Sequence, residues 1–229
     1  MKILGIITAR GGSKSIPRKN IIGLAGKPLL GYTAEVALAS KLDRVILSTD
    51  DEEIAQVGRD FGVEVPFMRP NELAQDESTS MEVVQHALKW LKENEGEEYD
   101  YLMILQPTSP MRSVDDIDAC IDLAVTSDAD SVMSMMELED FSPKKLKIIT
   151  SEGVIESLLE SEGAQSGRRQ DAEAVYKRNA AIYLTKVEHI LNGDLFGERS
   201  LAYVMPAERS VDINAPIDLT LAEFFLANK

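Results

Sequence analysis

Cysteine and histidine are scarce in this chain. Its 229 residues include one cysteine, Cys120, and two histidines, His86 and His189. A single thiol cannot form an intrachain disulfide, and so few ligands cannot build a cysteine-based zinc cluster or a histidine-rich metal site. All three residues fall in helical patterns without metal-spaced partners. We expect Cys120 to be a small core residue and the histidines to be packed or solvated.

Long apolar runs and positive charge are also in short supply. The first apolar run, residues 3–9, is too short for a signal-peptide core, and no stretch approaches the ~20 residues of a transmembrane helix. Lys and Arg number 24 against 39 Asp and Glu, a formal net charge of -15. This balance argues against sequence-independent binding to nucleic acid and against anionic membrane surfaces. We expect a cytoplasmic protein with neither kind of partner.

What the chain does contain is an alternation of strand and helix patterns. Fully apolar runs predict buried strands at 2–8, 44–49, 101–108 and 131–136. Amphipathic patterns predict helices at 28–40, 51–61, 80–94 and 114–126. Such alternation is typical of an α/β fold with a mostly parallel sheet and helices on both faces. The loops after the first three strands should then share the ligand-binding edge of the sheet.

The alternation breaks from about residue 138. Two β-like pieces and a polar loop follow, before strand patterns at 180–186 and 200–206 and a terminal helix at 215–227. We predict one domain, 1–229, in which 138–179 is an insertion used as a lid or for dimerisation. Its apolar side chains would be costly to leave exposed, so a homodimer built through this segment is expected. They are Leu146, Ile148, Ile149, Val154, Ile155, Leu158 and Leu159.

Positive charge is concentrated in the loop after the first strand. The stretch ITARGGSKSIPRKN, residues 7–20, holds two adjacent glycines and the cations Arg10, Lys14, Arg18 and Lys19. Glycines let backbone N–H groups approach a phosphate closely, and cations neutralise it. The spacing fits neither the P-loop, GxxxxGK[ST], nor GxGxxG. We interpret the loop as a phosphate site; the alternative is a solvated turn with surface lysines.

This loop and six motifs downstream resemble, in order, those of the acylneuraminate cytidylyltransferase family, which activates nine-carbon ulosonic acids. The loop matches as R-x-x-S-K-x-I-P-x-K-N. The other motifs are STDD (48–51), FMRPNELAQDESTS (67–80), LQPTSPMR (105–112), RRQ (168–170), YKRNAAIY (176–183) and SVDIN (210–214). The resemblance therefore spans nearly the whole chain.

The resemblance implies a Rossmann-like nucleotidyltransferase in which a sugar hydroxyl attacks the α-phosphate of CTP and pyrophosphate leaves. The acceptor would be a nonulosonic acid, such as N-acetylneuraminate or legionaminate. Nucleotide contacts are implied at Arg10, Ser13, Lys14, Lys19, Asn20, Arg69 and Ser80. Of these, Arg10, Lys14 and Lys19 would be catalytic together with Asp212, with Lys19 nearest the transferring phosphate.

Sugar contacts are implied at Gln106, Arg169, Lys177, Asn179 and Tyr183. Arg169 is the candidate for the sugar carboxylate, because guanidinium binds carboxylate in a bidentate fork. Lys177 would act within its own chain or across a dimer interface. A strand-end glutamine and an RRQ loop are also compatible with ordinary solvated positions.

The chain departs from its relatives at the expected Mg²⁺ site. Relatives commonly carry Asp-x-Asp where this chain reads Asp212-Ile213-Asn214. Magnesium favours one or two carboxylates, with waters and phosphate oxygens completing its shell. We therefore expect Asp212 to bind the ion and Asn214 to assist weakly. Asn214 is also a candidate N-cap for the terminal helix, with Asp218 as a first-turn acid.

Two other functions remain open from the sequence. One is a CMP-Kdo-type synthetase, although such relatives usually carry a different, arginine-rich opening without GGSK. The other is a non-catalytic nucleotide- or sugar-binding regulator on the same fold, which the retained lysines and Asp212 disfavour. The sequence does not distinguish between nonulosonic acids, which differ in groups that pocket shape alone discriminates.

Overall fold

The computed structural model describes residues 1–139, 146–158 and 174–228. Its strands are β1 (Ile3–Thr8), β2 (Gly23–Leu24), β3 (Lys27–Pro28), β4 (Arg44–Ser48), β5 (Tyr101–Leu105), β6 (Ser131–Glu137), β7 (Lys147–Ile149), β8 (Ile155–Ser157), β9 (Tyr176–Lys186) and β10 (Ser200–Val204). Its α-helices are α1 (Leu29–Leu38), α2 (Glu52–Asp60), α3 (Ser80–Glu95), α4 (Val114–Ser127), α5 (Val187–Leu191) and α6 (Pro216–Ala227). None of the described helices is long and apolar enough to cross a membrane.

A six-stranded sheet in the order β10-β6-β9-β5-β1-β4 forms the centre of the fold. β1 pairs in parallel with β4 and β5, and β10 pairs in parallel with β6. β9 runs antiparallel to both of its neighbours, β5 and β6. The prediction of a mostly parallel sheet is confirmed, with β9 as the strand of reversed direction.

Strands β1, β4 and β5 are largely apolar because helices cover both faces of this part of the sheet. On one face Ile7, Leu47 and Leu105 pack with residues of α1, α2 and α4. On the other, Leu4 and Ile6 pack with α3. Alternate residues of one strand thus enter opposite apolar clusters, as the pleat of a strand requires. A third cluster packs α6 against the loop region after β1, through Ile16, Leu24, Met111, Ile213 and Ala222.

The scarce residues have structural roles. Cys120 is buried in the first cluster, and burial raises the pKa of its thiol. His86 packs edge-on against Phe67 with ring centroids 4.9 Å apart, and burial lowers the pKa of its imidazole. The expectation that Cys120 and His86 are packing residues is confirmed.

Two predicted boundaries are wrong. The strand predicted at 101–108 ends at Leu105, because the chain turns at Gln106, whose carbonyl accepts from Ser109 N–H at 3.3 Å. The strand predicted from residue 180 begins at Tyr176, so the end of the supposed insertion 138–179 belongs to the central sheet. The strand pattern of β9 is interrupted at Ala180, whose backbone is in the left-handed region with φ 62°. At this point the pairing of β6 with β9 shifts register.

The two β-like pieces of the insertion form a separate hairpin, β7–β8. Its apolar side chains are exposed: Ile149 is 72% and Ile155 68% accessible, and Ile148, Val154 and Leu158 are also exposed. Leu159 lies outside the described residues. The hairpin therefore presents an apolar surface that the other described residues do not cover.

Candidate functional site

Two clefts lie beside the sheet. The first, here called the loop cleft, has a volume of about 430 Å³ and is lined by Thr8, Arg10, Ser13, Lys14, Ser15, Lys19, Asn20, Arg69, Leu73, Gln75, Asp76, Ser78, Ser80, Val83, Gln106 and Thr108. The second, the helix cleft, has a volume of about 500 Å³ and is lined by Met136, Lys177, Arg178, Asn179, Ala207, Ser210, Val211, Asp212, Asn214, Asp218, Leu221 and Phe225. All seven residues predicted to contact nucleotide line the loop cleft.

The glycine loop is held open by bonds to the STDD motif and to itself. Gly11 donates its N–H to Asp50 Oδ1 at 3.0 Å, and Asn20 Nδ2 donates to the carbonyl of Arg10 at 2.9 Å. A Cβ on Gly11 would lie 2.7 Å from Asp51 Oδ2 and 3.0 Å from Asp51 Cβ, so a larger residue there would displace the Asp51 side chain. Asp51 is also the N-cap of α2, accepting from Ile54 N–H at 3.0 Å. The motif thus fixes the loop's path.

Arg18 does not line the loop cleft. It adopts a left-handed conformation, φ 55°, and its guanidinium contacts the carboxylates of Asp51 and Glu53. Arg18 therefore joins the loop to the start of α2, and three of the loop's four cations line the cleft.

Lys19 lies at the junction of the two clefts. Its Nζ donates to the carbonyl of Ile213 at 2.9 Å, beside Asp212 of the helix cleft. Burial, together with the nearby charge of Arg10, lowers the pKa of Lys19, while Asp212 and Asp218 oppose that shift. Lys19 is thus not a solvated surface lysine: it is half-buried and faces carboxylates across the junction.

A second partly desolvated cation, Arg69, lies behind the loop. Its Nε donates to Ser48 Oγ at 3.0 Å, and its Nη2 contacts the Ser48 carbonyl at the end of β4. Burial lowers its pKa to about 10, so the guanidinium stays charged at neutral pH. The side chain is 6% accessible and lines the cleft. It gives the cleft a fixed positive charge.

The opposite wall is the segment that leads into α3. Asp76 accepts from Arg10 Nη2 at 2.8 Å and contacts Lys14 Nζ. Ser80 is the first residue of α3, whose N-cap, Thr79, forms a capping box with Glu82. The N-terminus of this 16-residue helix therefore borders the cleft, where its dipole favours anions.

Gln106 and the buried Arg112 mark the inner edge of the loop cleft. Gln106 lines the cleft directly after β5. Beneath it, Arg112 is 2% accessible and donates to the Ala181 carbonyl at 2.5 Å and to Thr33 Oγ1 at 2.8 Å. Burial lowers the pKa of Arg112 to about 10. Sequence reasoning missed this arginine, although its place at the end of LQPTSPMR was a signal.

The residues predicted to contact sugar do not form one group. Gln106 lines the loop cleft, Lys177 and Asn179 line the helix cleft, and Tyr183 lines neither. Tyr183 packs beside the α3 cluster, and its pKa is raised chiefly by burial. Arg169 lies outside the described residues, so its role stays a prediction.

Asn179 is engaged in the interior. Its Nδ2 donates to Ser210 Oγ at 2.9 Å, and its Oδ1 accepts from Ser134 Oγ at 2.5 Å. These bonds join β6, β9 and the segment before α6. Its neighbour Arg178, which the sequence did not single out, lines the same cleft and lies over the ring of Phe196, 5.6 Å from its centroid.

Asp212 lines the helix cleft and has one carboxylate oxygen without a hydrogen-bond partner among the described residues. Its Oδ2 accepts from Asn214 Nδ2 at 2.7 Å, while its buried Oδ1 has no partner among the described residues. The described part of the chain contains no cluster of three or more His, Cys, Asp or Glu side chains that could hold a metal. One carboxylate is nevertheless enough for magnesium when water and phosphate oxygens supply the remaining ligands.

Asn214, a candidate N-cap of the terminal helix, does not cap it. The N-cap of α6 is Ala215. Asp218 accepts from the backbone N–H of Ala215 at 2.7 Å and of Asn214 at 2.8 Å, as expected of a first-turn acid. Because Asp218 takes these donors, the Asn214 side chain can point to Asp212.

The chain is similar in sequence and in fold to several known proteins. The family model for cytidylyltransferases matches residues 4–220. A pseudaminic acid cytidylyltransferase of Campylobacter jejuni subsp. jejuni serotype O:2 is 34% identical over 97% of this chain and 95% of its own length. An N-acylneuraminate cytidylyltransferase of Escherichia coli O18:K1:H7 is 35% identical over 96% of this chain and 51% of its own.

Two further similarities concern acceptor class and fold. A CMP-N,N'-diacetyllegionaminic acid synthase of Legionella pneumophila is 33% identical over 97% of this chain and 95% of its own length. Among solved structures, a CMP:2-keto-3-deoxy-manno-octonic acid synthetase complexed with CTP superposes with a TM-score of 0.73 at 18% identity, covering 100% of this chain and 99% of the other. At that identity the likeness concerns the fold alone.

Proposed function

The chain belongs to the cytidylyltransferase family, and from that premise we propose that it transfers CMP from CTP to the anomeric hydroxyl of a nonulosonic acid, releasing pyrophosphate. The observation that carries the proposal is the loop cleft, which gathers all seven candidate nucleotide residues around one volume. Relatives 33–35% identical, named for pseudaminic, N-acylneuraminic and diacetyllegionaminic acid, support this acceptor class.

The loop cleft suits phosphoryl transfer from a nucleotide. Such transfer needs positioning and neutralisation of developing charge rather than a covalent nucleophile. Arg10, Lys14, Lys19 and Arg69 supply cations to one cleft. Ser13 offers a hydroxyl there, Asn20 keeps the loop in shape through the Arg10 carbonyl, and the α3 N-terminus at Ser80 favours an anion.

The helix cleft suits an acidic sugar. Lys177 and Arg178 line it, and Arg178 has no ion-pair partner within 4 Å among the described residues. We propose that these cations, with Arg169, attract the acceptor's carboxylate, and that Gln106 contacts the sugar where the clefts meet. Thr108 of the loop cleft accepts from Ile213 N–H at 2.8 Å, so the walls of the two clefts are joined there. Lys19 then lies between donor and acceptor.

We propose that Asp212 is the protein's carboxylate ligand for Mg²⁺, with Asn214 assisting through water. The support is the unpartnered Asp212 Oδ1 beside the cleft, an oxygen of the type the ion prefers. When bound, the ion would neutralise phosphate charge. The chain's own contribution is to orient that carboxylate, through the Asn214 amide at 2.7 Å.

We also propose that the protein works in the cytoplasm, where CTP is present, as a homodimer. The support for the dimer is the apolar surface of hairpin β7–β8, which the other described residues leave exposed. Ile149→Asp with Ile155→Asp should halve the mass measured by light scattering, whereas Leu191→Asp, at another exposed apolar position on α5, should not. A wild-type monomer at micromolar concentration contradicts the dimer.

A substrate panel tests the proposed activity. Purified protein, CTP and Mg²⁺ are combined separately with N-acetylneuraminate, legionaminate, pseudaminate, Kdn or Kdo, and pyrophosphate release is followed. Release that depends on one of the nine-carbon acids supports the proposal, with UTP in place of CTP as the control. Release with Kdo alone favours the eight-carbon alternative, and no release with any acceptor favours a regulator.

A further inference from the structure

One carboxylate lies between two of the loop's cations. Asp76 comes from the segment before α3, while Arg10 and Lys14 come from the glycine loop on the facing wall. The Arg10 Nη2–Asp76 Oδ1 distance is 2.8 Å, and Lys14 Nζ contacts the other oxygen, Oδ2. The three side chains thus form an ionic bridge across the loop cleft.

The contacts of Asp76 with the two cations are exposed and therefore weak enough for a more highly charged anion to displace the carboxylate. The Asp76 side chain is 43% accessible and that of Lys14 81%, so water and salt weaken both contacts. The backbone that carries Asp76 is tied locally: Gln75 N–H donates to Ser78 Oγ at 3.1 Å, and Ser78 Oγ donates to the Glu72 carbonyl at 3.1 Å. Rotation of the side chain therefore suffices to release the cations.

Asp76 stays ionised under working conditions. The contact with Lys14, and secondarily that with Arg10, lowers the pKa of the carboxyl below its ordinary value. Without nucleotide, the charged Asp76 carboxylate thus stays paired with Arg10 and Lys14, the two cations assigned to phosphate. A phosphate chain carries several charges and more acceptor oxygens, so it competes favourably for the same donors.

We propose that Asp76 is a positioning residue that occupies the phosphate subsite, keeps Arg10 and Lys14 turned toward the cleft, and is displaced by the phosphates of the nucleotide. After transfer it takes the cations back and so weakens the hold on pyrophosphate. This inference rests on the proposed function, because it assigns the loop cleft to a triphosphate.

Neighbouring acids provide the test. Asp76→Asn removes the bridge, and Glu77→Gln removes the same charge from the next residue, which is exposed and has no ion pair within 4 Å among the described residues. Asp76→Glu retains a carboxylate. Calorimetry with inorganic pyrophosphate alone, and then with CTP, measures the dissociation constants at fixed ionic strength.

We expect Asp76→Asn to bind pyrophosphate about 2- to 10-fold more tightly than wild type, because the substitution removes two exposed ion pairs and leaves both cations free to bind the ligand. Glu77→Gln should change the dissociation constant less than about 2-fold, and Asp76→Glu should lie near wild type. In steady state, Asp76→Asn should lower the KM for CTP and strengthen product inhibition by pyrophosphate without raising kcat.

Two results would overturn the inference. If Asp76→Asn binds pyrophosphate no more tightly than Glu77→Gln does, the ion pairs of Asp76 do not compete with the ligand. Any effect on affinity then comes from the overall charge of the segment. If Asp76→Asn binds more weakly, Asp76 supports the cations rather than competing for them. If the wild-type protein binds neither CTP nor pyrophosphate, both the proposed function and this inference are wrong. If the wild-type protein binds them but the variants do not differ, only this inference is wrong.

Discussion

The loop cleft and the helix cleft are assembled in different ways. The loop cleft draws its cations from a short stretch, residues 10–19, supplemented by Arg69. The helix cleft combines Met136, the start of β9, and the segment from Ala207 to Phe225. A cleft built from consecutive residues leaves a readable motif, whereas one built from distant segments exists only after the sheet has formed.

The two clefts also differ in charge. The residues that line the loop cleft include four cations and one carboxylate, that of Asp76, which pairs with two of the cations. In the helix cleft Lys177 and Arg178 share the walls with Asp212 and Asp218. We therefore assign the first arrangement to a polyanion and propose the second for a singly charged sugar near the carboxylate proposed to bind Mg²⁺. Variants at the two clefts test this division.

The largest effect is expected at Asp212. Asp212→Asn should abolish Mg²⁺-dependent activity without unfolding the protein, because it removes the carboxylate charge that the ion requires. Asn214→Asp should preserve activity and lower the magnesium concentration needed. A magnesium titration of turnover, with circular dichroism to verify folding, makes the comparison. An Asp212→Asn titration identical to that of wild type would move the metal site elsewhere.

Lys19→Ala should reduce turnover about 100-fold, the effect of removing about 3 kcal/mol of transition-state stabilisation. The warrant is the position of Lys19 between the two clefts, where its Nζ binds the Ile213 carbonyl. Lys41→Ala, which removes an exposed lysine paired with Asp122, is the matched control. Wild-type turnover in a folded Lys19→Ala protein would show that Lys19 does not take part in catalysis.

Arg169→Ala should raise the KM for the sugar far more than the KM for CTP. A bidentate contact between charged groups contributes roughly 1.5–3 kcal/mol, or about 10- to 150-fold in the KM. Initial rates with each substrate varied in turn give both constants. Equal effects on both KM values would remove Arg169 from the sugar site.

Asn179 and Gln106 were predicted alike, and the structure separates them. Asn179→Ala should lower the free energy of unfolding by about 1–3 kcal/mol, because it breaks buried bonds to Ser134 and Ser210. Gln106→Ala, at a partly exposed cleft position, should change stability little and act on the KM for the sugar. Urea unfolding followed by kinetics tests both; equal stability of the two variants would show that the Asn179 bonds contribute little.

The smallest effect concerns pH. Burial lowers the pKa of Lys19, so this lysine loses its proton at a lower pH than an exposed one. If turnover requires protonated Lys19, kcat/KM should fall at alkaline pH. In Lys19→Arg this fall, the alkaline limb of the pH–rate profile, should move to higher pH, because guanidinium stays protonated. A limb that does not move in Lys19→Arg belongs to another group.

Much of the fold followed from local patterns. The strands at 2–8, 44–49 and 131–136 and the four helices between 28 and 126 were predicted because buried strands are apolar throughout and helices carry apolar stripes. The start of β9 was missed because Tyr176, Lys177 and Arg178 are exposed and polar or amphipathic, and Ala180 interrupts the ladder with φ 62°. Its antiparallel direction leaves no local signature.

Local patterns were enough to identify the α/β class, the family motifs and the cations of the loop cleft, because a dense group of cations beside two glycines is typical of a phosphate site. The folded chain was needed to show that Asn179 bonds within the interior, that Tyr183 packs outside both clefts, and that Asp76 bridges two cations. Those roles depend on which distant oxygen or ring lies within about 3–5 Å, and hydrogen bonds and packing contacts act only over such distances.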